Sequence, residues 1–507
     1  MYRSSFAVFV LIAFYLLLCK PLMAQPAADR VAAIQKVSAK LDTIARRYAG
    51  GHQFPGFIYG LLVDGKLVHS FATGYANVEK QTPVTNQTCF RIASMSKSFT
   101  AMAILKLRDE GKLKLDDPVQ MYVPEMLGQR LLSKDAESIT IRHLLMHGAG
   151  FPEDNPWGDR QLEVSDQEML DMIRKGISFS SVPGIAYEYS NMGYAMLGYI
   201  IKRVSGMPYQ KYIDGAIMAN LGMKHTFFDY KKVDSSQLAL GYRWVNKTWV
   251  NQPLLGDGAY GAMGGMITNL DDFVEYASFH QSVWPPKNTN EIGPVKRSTA
   301  REMHHPWNVP ELNAGYRYAS GRACPVVRSY GYGLGFSKDC NDRVSIGHSG
   351  GLPGFGSNWA FYPDYGIAII SFANETYAPA SAFNTMLADT ILAMTKLQPL
   401  AIKGAQFLEQ RKNELVKLLP AWADAEASGI FAVNFFMDYF FGSLQTEATA
   451  IFKQAGAIKS IGKMTPENAL RGSFILEGEI KNIEVFFTLT PENPPLIQEY
   501  NIKLINK

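Results

Sequence analysis

The sequence predicts an α/β (α+β) protein: one antiparallel β-sheet flanked by helices, a helical lobe beside it, and a small α+β domain at the C-terminus. Three observations carry that expectation. Strand-like runs cluster near the start and again near the end of a block that closes at about residue 397, with a long, mostly helical stretch between them. Helix-period segments stand at both ends of the same block. After Leu397-Gln398-Pro399 the character changes, and a second set of strand-like runs follows an aromatic segment. A sheet assembled from both ends of a block has apolar faces to bury, and helices from those ends can cover them.

In chain order, Ile34, Val37, Leu41 and Ile44 recur at helical spacing between Ala28 and Tyr48, and Gly50-Gly51 ends the run. Phe57 to Val63 and Lys66 to Ala72 read as two strands, with Asp64-Gly65 as the hairpin turn. Residues from about 94 to 290 are mostly helical pattern broken by Gly/Pro-rich loops, and Thr268 with Asp271 reads as a helix N-terminal cap. Val344 to Gly347, Asn358 to Tyr362 and Gly366 to Phe372 are three more strands, the last two joined by Pro363-Asp364-Tyr365, and a helix follows at about 379–396. Residues 398–425 read as a helical linker and 426–507 as the small domain. In it Phe431, Phe435, Phe436, Tyr439 and Phe440 precede strands at Gly472 to Ile480, Ile483 to Leu489 and Ile497 to Ile505. The outline of that domain resembles a cone-shaped cystatin or NTF2-like unit.

With 507 residues, 47% apolar and 19% charged, and a formal charge of +4, the composition is that of an ordinary globular protein. Disorder needs low hydrophobicity with high net charge, and nucleic-acid binding needs a strong basic excess. Neither is present, so no nucleic-acid partner is expected. Arg3, the apolar run from Phe6 to Cys19, Lys20-Pro21 and Leu22-Met23-Ala24 read as a secretory signal, residues 1–24, cleaved after Ala24. Its fourteen apolar residues are too few to cross a hydrocarbon layer of about 30 Å. Leu18 is too large for a lipoprotein site at Cys19. The mature chain, with charge +2, is expected to be exported to the periplasm or beyond, without a stable membrane span. It keeps Cys89, Cys324 and Cys340; the last two, sixteen residues apart, either form a disulfide or stay as thiols.

Two serine hydrolase patterns compete. Gly347-His348-Ser349-Gly350-Gly351 matches G-x-S-x-G, but a nucleophile elbow needs a helix after the serine and a histidine later in the chain. Leu352-Pro353-Gly354 cannot start a helix, and no histidine follows His348. S-x-x-K occurs twice, at Ser94/Lys97 and at Ser460/Lys463. The second copy sits in a turn-like, glycine-flanked stretch. The first opens SMSKSFTAMAILKLRDEG, whose Phe99, Met102, Ile104, Leu105 and Leu107 point to a buried helix stopped at Gly111. Three positions apart, Ser94 and Lys97 share a face, and a lysine in a dry site loses pKa and can take a serine proton. Tyr189 and Asn191 lie on a loop before an apolar helix, Ala195 to Val204, and His348-Ser349-Gly350 ends a strand, where Gly351 can bring its N–H to a substrate. His143 and His147, four apart, lack a third metal ligand, and His304-His305 reads as a solvated loop. The Tyr and Trp clusters around 157, 243–249 and 316–332 either line the cleft or pack.

Ser94-Met95-Ser96-Lys97, Tyr189-Ser190-Asn191 and His348-Ser349-Gly350, together with FRIASMSKSFT, LKLDDPVQMYVPE, ITIRHLLMHGAGF and GGMITNLDDF, resemble the serine β-lactamase and penicillin-binding-protein superfamily, in its class C-like branch. The resemblance runs from about Phe54 to about Thr395, which makes 25–397 the hydrolase domain. It implies that Ser94 is acylated, that Lys97 helps deprotonate it, and that Tyr189 shuttles protons as general base and acid. Asn191 would hold the substrate amide or carbonyl, and the N–H groups of Ser94 and Gly351, with Gly350 beside them, would form the oxyanion hole. No cofactor or metal is implied. The departure is His348, which stands where K-T-G members carry a permanently charged lysine. A histidine, with an ordinary pKa of about 6.5, is mostly neutral above pH 7. The expectation is an exported serine hydrolase acting on esters or D-amino-acid amides and peptides, with small-molecule or cell-wall-derived substrates as partners. A D,D-carboxypeptidase or class C-like β-lactamase is the alternative, and a non-catalytic cell-wall-ligand binder the second. Oligomeric state is left open.

Overall fold

The computed structural model describes residues 27–400 and 406–507. The leader expected at residues 1–24 lies outside them, as does part of the stretch read as a linker, residues 401–405. The chain divides into two compact units, Gln25–Pro399 and Leu400–Lys507.

The larger unit is built on a nine-stranded antiparallel sheet. Its strands are β1 (Gly56–Val63), β2 (Lys66–Asn77), β3 (Thr82–Pro83), β4 (Asn308–Asn313), β5 (Val326–Tyr330), β6 (Gly335–Asp339), β7 (Val344–Leu352), β8 (Phe355–Tyr362) and β9 (Ile367–Ala373), in the spatial order β3-β2-β1-β9-β8-β7-β6-β5-β4. The early hairpin and the later trio therefore share one sheet, as their separation in sequence predicted, and β1 pairs directly with β9, Gly60 opposite Ile370. Asp64 and Gly65 both have positive φ, 49° and 77°, the conformation a two-residue hairpin turn requires.

Every residue of β1 is buried, because helices cover both faces. Phe57, Tyr59, Leu61 and Val63 face helix α1 (Ala27–Gly51), through Ile34, Leu41 and Ala45, and a helix near the unit's C-terminus, Ala380–Thr395, through Phe383 and Leu387. Ile58 and Leu62 face the other core, which holds Leu270 and Phe273. Period-two alternation thus splits one strand between two cores. Trp359 on β8 is fully buried in the second core, with ring centroids 5.7 Å from Phe273 and 5.8 Å from Tyr276. Trp359→Ala is expected to cost about 3–5 kcal/mol, read as a shift of the chemical denaturation midpoint; a shift below about 1 kcal/mol would show that this core repacks.

The helical lobe contains α2 (Ser96–Asp109), α3 (Asn191–Ser205) and shorter helices such as Asp166–Lys175. Helix α4 (Leu270–Ser282) is capped one residue later than the sequence suggested: Asn269 Oδ1 accepts from Asp272 N at 2.8 Å. Thr268 instead joins a two-residue pairing with Phe90, and its hydroxyl meets that of Thr226 at 2.7 Å. His304 is a second correction. It is buried, bonded to His280 Nδ1 at 2.7 Å and to Trp284 Nε1 at 3.0 Å, while His305 stays at the surface. Cys324 and Cys340 form a disulfide, Cα atoms 5.3 Å apart, and Cys89 is a buried free thiol. Among the described residues no helix is long and apolar enough to cross a membrane.

In the smaller unit, strands Ile458–Ile461, Thr465–Asn468, Arg471–Gly478, Asn482–Leu489 and Ile497–Ile505 form an antiparallel sheet. Phe474, Leu476, Val485 and Ile502 meet Leu444 and Ala448 of the helix Phe441–Ala455. The stretch read as a linker contains the helix Gln406–Leu418, whose Leu408 and Leu415 enter this same core with Trp422. The aromatic segment is a turn with a four-residue helix, Phe435–Asp438; Phe431 and Phe435 point inward, and Phe440 is exposed.

Candidate active site

Ser94 lies in a single 3₁₀ turn, Ala93–Met95, that leads into α2. Its predecessor Ala93 has φ of 49°, a left-handed conformation that an alanine adopts only when its surroundings hold it there. The surroundings are specific. Ile92 N donates to Met266 O at 3.0 Å, Ser96 Oγ donates to Ala93 O at 2.7 Å and accepts from Met266 N at 3.1 Å, and Ser357 Oγ donates to Ile92 O at 2.8 Å. The turn is therefore pinned between the segment around Met266 and strand β8.

One helical turn on, Lys97 is completely buried. Its Nζ lies 3.1 Å from Ser94 Oγ, 2.7 Å from Asn191 Oδ1 and 2.9 Å from Met263 O. Burial pulls its pKa down to about 7, against the upward pull of Asp159 and Asp154. Burial likewise pushes Asp159 up, with Lys97 opposing it. The aromatic faces of Tyr189 and Tyr194 lie 4.8 and 5.6 Å from Nζ.

Asn191 is not on a loop: it is the first residue of α3, which starts four positions earlier than the apolar run indicated. Ser190 caps this helix, and Asp154 reinforces the cap, accepting from Asn191 N at 2.7 Å and Met192 N at 2.9 Å. A carboxylate at a helix N-terminus satisfies orphan N–H groups and complements the dipole. Tyr189 lies just before the cap; burial raises its phenol well above the ordinary value, and the Ser94 hydroxyl works the other way. Tyr189 is thus a protonated phenol at neutral pH.

His348 lies inside β7, not at its end, since the strand runs on to Leu352. Its Nε2 accepts from Tyr330 OH at 2.8 Å, and Nδ1 donates to Ser349 O at 2.5 Å. Burial, aided by nearby Lys97, pushes the imidazole down to about 3, so it is neutral at pH 7. Its ring centroid is 6.3 Å from that of Tyr189. Gly350 is where the nucleophile turn touches the sheet: a Cβ there would fall 2.2 Å from Ile92 O and 2.4 Å from Ser357 Oγ. Gly351 lies under Tyr377, whose OH donates to Asp159 Oδ2 at 3.0 Å.

The structure thus gathers Ser94, Lys97, Tyr189, Asn191, His348 and Gly350 at one locus, with Gly351 one residue further along the strand. Ser349 is exposed on the opposite side of β7 from His348, and Ser460 bonds Glu477 on a strand of the smaller unit. His143 closes a capping box with Thr140. His147, read above only as half of a rejected metal pair, packs its ring against that of Tyr189, centroids 4.2 Å apart and tilted by 38°, its Nδ1 accepting from Ser190 N at 3.1 Å. Asp154, Asn155, Asp159, Met263 and His147 escaped sequence reasoning as site residues, since nothing local links them to the three motifs, whereas Tyr330 falls in the aromatic cluster at 316–332. Among the described residues no cluster of three His, Cys, Asp or Glu side chains is placed to hold a metal ion. A cleft of about 470 Å³ opens beside the locus, lined by Tyr187, Tyr189, Tyr330 and His348 among others. Of the aromatic clusters, Tyr330 lines it, whereas Trp244 and Trp249 pack on each other, 5.4 Å apart. A buried lysine amine against a serine hydroxyl, a phenol beside both, and a glycine strand edge are together equipped for acyl transfer.

The family model described as Beta-lactamase matches residues 41–392. Protein flp of Staphylococcus aureus (strain COL) is 30% identical over 349 residues, 67% of this chain; the chain spans 64% of the length of that relative, less than two thirds. Two solved structures share the fold at 22% identity. An octameric penicillin-binding protein homologue from Pyrococcus abyssi has a TM-score of 0.58 over 93% of this chain and 96% of its own. A class C beta-lactamase has a TM-score of 0.55 over 71% of this chain and 96% of its own.

Proposed function

The chain belongs to the beta-lactamase family of serine hydrolases, which includes penicillin-binding proteins and esterases, and from that premise we propose that it hydrolyses esters or D-amino-acid amides through an acyl-enzyme on Ser94. The observation that carries this reading is Lys97: fully buried, 3.1 Å from Ser94 Oγ, with a pKa brought down to about 7. In its neutral form Lys97 takes the Ser94 proton as Oγ bonds the substrate carbonyl carbon. The N–H groups of Ser94 and Gly351 stabilise the resulting oxyanion. As the tetrahedral intermediate collapses, Tyr189 gives its proton to the departing alcohol or amine and recovers one from the Lys97 ammonium. Water then adds to the acyl-Ser94 ester, its proton leaving by the same two groups, and Ser94 is released with the acid product.

His348 supports the substrate class. With a neutral imidazole His348 offers no fixed charge to the carboxylate that β-lactams and D-Ala peptides carry, the guanidinium of Arg328 in the same cleft is paired with Glu311 at 2.9 Å, and a charge-assisted hydrogen bond is worth about 1.5–3 kcal/mol. The expected result is that kcat/KM for nitrocefin lies about 10- to 100-fold below that for p-nitrophenyl acetate, with the ester activity lost in Ser94→Ala. Faster turnover of nitrocefin than of the ester would select the D,D-peptidase or β-lactamase reading. The Cys324–Cys340 disulfide favours an oxidising compartment, and with the leader at residues 1–24 it supports export to the periplasm or beyond.

A further inference from the structure

We propose that Asn155 is a positioning residue, and that Glu153, Asn155 and Asn191 form a directed hydrogen-bond relay that keeps the lone pair of Lys97 on Ser94. The inference rests on the reading of Ser94 as nucleophile and Lys97 as its base. It starts from donor and acceptor counting. A neutral lysine amine has two hydrogens and one lone pair, and here it has three oxygen neighbours, Asn191 Oδ1 at 2.7 Å, Met263 O at 2.9 Å and Ser94 Oγ at 3.1 Å, with the weakly accepting Met263 Sδ farther off at 3.9 Å. Met263 O is a backbone carbonyl and can only accept. If Asn191 also presents oxygen, both hydrogens are spent, and the lone pair is left for the Ser94 hydroxyl. If Asn191 presents its NH₂ group instead, that group claims the lone pair, and the amine can no longer take the serine proton.

The two ends of an asparagine amide have nearly the same shape, so only its other partners set its direction. Asn191 Nδ2 donates to Asn155 Oδ1 at 3.1 Å, and Asn155 Nδ2 donates to Glu153 Oε1 at 2.8 Å. A carboxylate only accepts. Glu153 therefore orients Asn155, Asn155 orients Asn191, and Asn191 turns oxygen toward Lys97. The backbone keeps the two asparagines in register. Asp154, between Glu153 and Asn155, accepts from Asn191 N and Met192 N, with its Oδ2 also 3.4 Å from Ser190 Oγ. Gly158 closes the approach, for a Cβ there would fall 2.8 Å from Asn191 Cβ.

The test compares Asn155→Ala with Asn155→Asp in the full chain, reading the burst of Ser94 acylation by p-nitrophenyl acetate and its pH profile. Alanine leaves Asn191 undirected, and acylation is expected to slow about tenfold or more, with the ester KM and the melting temperature unchanged. Aspartate still only accepts from Asn191 Nδ2, and the exposed Glu153 carboxylate, which loses its donor Asn155 Nδ2, turns from the new charge into solvent, so the maximal rate is expected within about threefold of wild type. Its added charge favours the Lys97 ammonium, so the acid limb moves to higher pH. The other groups facing Lys97 stay as they are: Ser94, the Tyr189 and Tyr194 rings, the charges of Asp154 and Asp159, and neutral His147 and His348. Wild-type acylation in Asn155→Ala, or equal slowing in both variants, overturns the relay. Should Asn155→Ala not fold, a slowed Asn155→Asp with an unmoved acid limb overturns it as well. A wild-type protein without a Ser94 adduct fails the underlying functional reading, which is a different outcome.

Discussion

Lys97→Met is expected to lower kcat/KM for an activated ester by about 10²- to 10⁴-fold, the contribution of a positioned general base. Ser94→Ala is expected to lose more, on the order of 10⁶ in kcat, as for other serine hydrolases that lose their nucleophile. The two variants differ in what they leave behind. Without Lys97 the hydroxyl is still held in its pinned turn, so slow acylation persists; without Ser94 no oxygen remains to be acylated. The pH profile carries the sharper test. Lys97 acts only when neutral, so wild-type kcat/KM rises with pH through about 7 and levels off above it. Tyr189 stays protonated across this range, its phenol being raised well above the ordinary value, and His348 stays neutral, so neither adds a limb near neutrality. In Lys97→Met the limb near pH 7 disappears. A limb that persists there in the variant would assign the titration to another group and remove Lys97 from the role of base.

The second large effect is at Gly350. A methyl group at this position meets Ile92 O at 2.2 Å, Ser357 Oγ at 2.4 Å and Ala93 Cβ at 3.0 Å. Strand β7 cannot retreat, because Gly350 pairs with Ser357 across the sheet, and Ser357 Oγ itself holds Ile92 O. The strain falls on the turn that carries Ser94. A displacement of about 1 Å in a catalytic group costs roughly 10²-fold in rate, and overpacking of this kind costs about 1–3 kcal/mol of stability. Gly350→Ala is therefore expected to fold, with a lowered melting temperature, and to lose about 10²-fold in kcat. Gly442→Ala, in a helix of the smaller unit with open space around the new carbon, serves as the comparison and is expected to leave kcat unchanged. Wild-type kcat in Gly350→Ala would show that the nucleophile turn does not depend on this contact.

Much of the fold was legible. The Asp64-Gly65 hairpin, the α1 stripe of Ile34 and Leu41 and the strands around Trp359 and Ile370 appear where their periodicity put them. Strands β4, β5 and β6, towards one edge of the sheet, were not read at all, because their burial follows no clean alternation, and two other kinds of miss occurred. Helix starts slipped where a neighbouring cap pair competed, as with Thr268 and Asp271 against Asn269 and Asp272, and where the start was read from the apolar run, as with Asn191, which lies inside α3 before that run begins. Burial slipped where a polar residue pairs inside the core, as with His304 against His280.

By itself the sequence determined the strand and helix periods, the glycine turns, and the three-residue spacing that places Lys97 one turn from Ser94. These depend on neighbours within a few positions, and steric and hydrogen-bonding rules at that range act before the chain is compact. Tertiary structure alone decided that Lys97 gives up its proton near pH 7, that His348 is neutral, that Asp154 and Asn155 hold Asn191, and that the His147 ring packs on that of Tyr189. Desolvation is a property of everything packed around a group, and those neighbours come from segments far away in sequence, Asn191 94 residues and Met263 166 residues from Lys97.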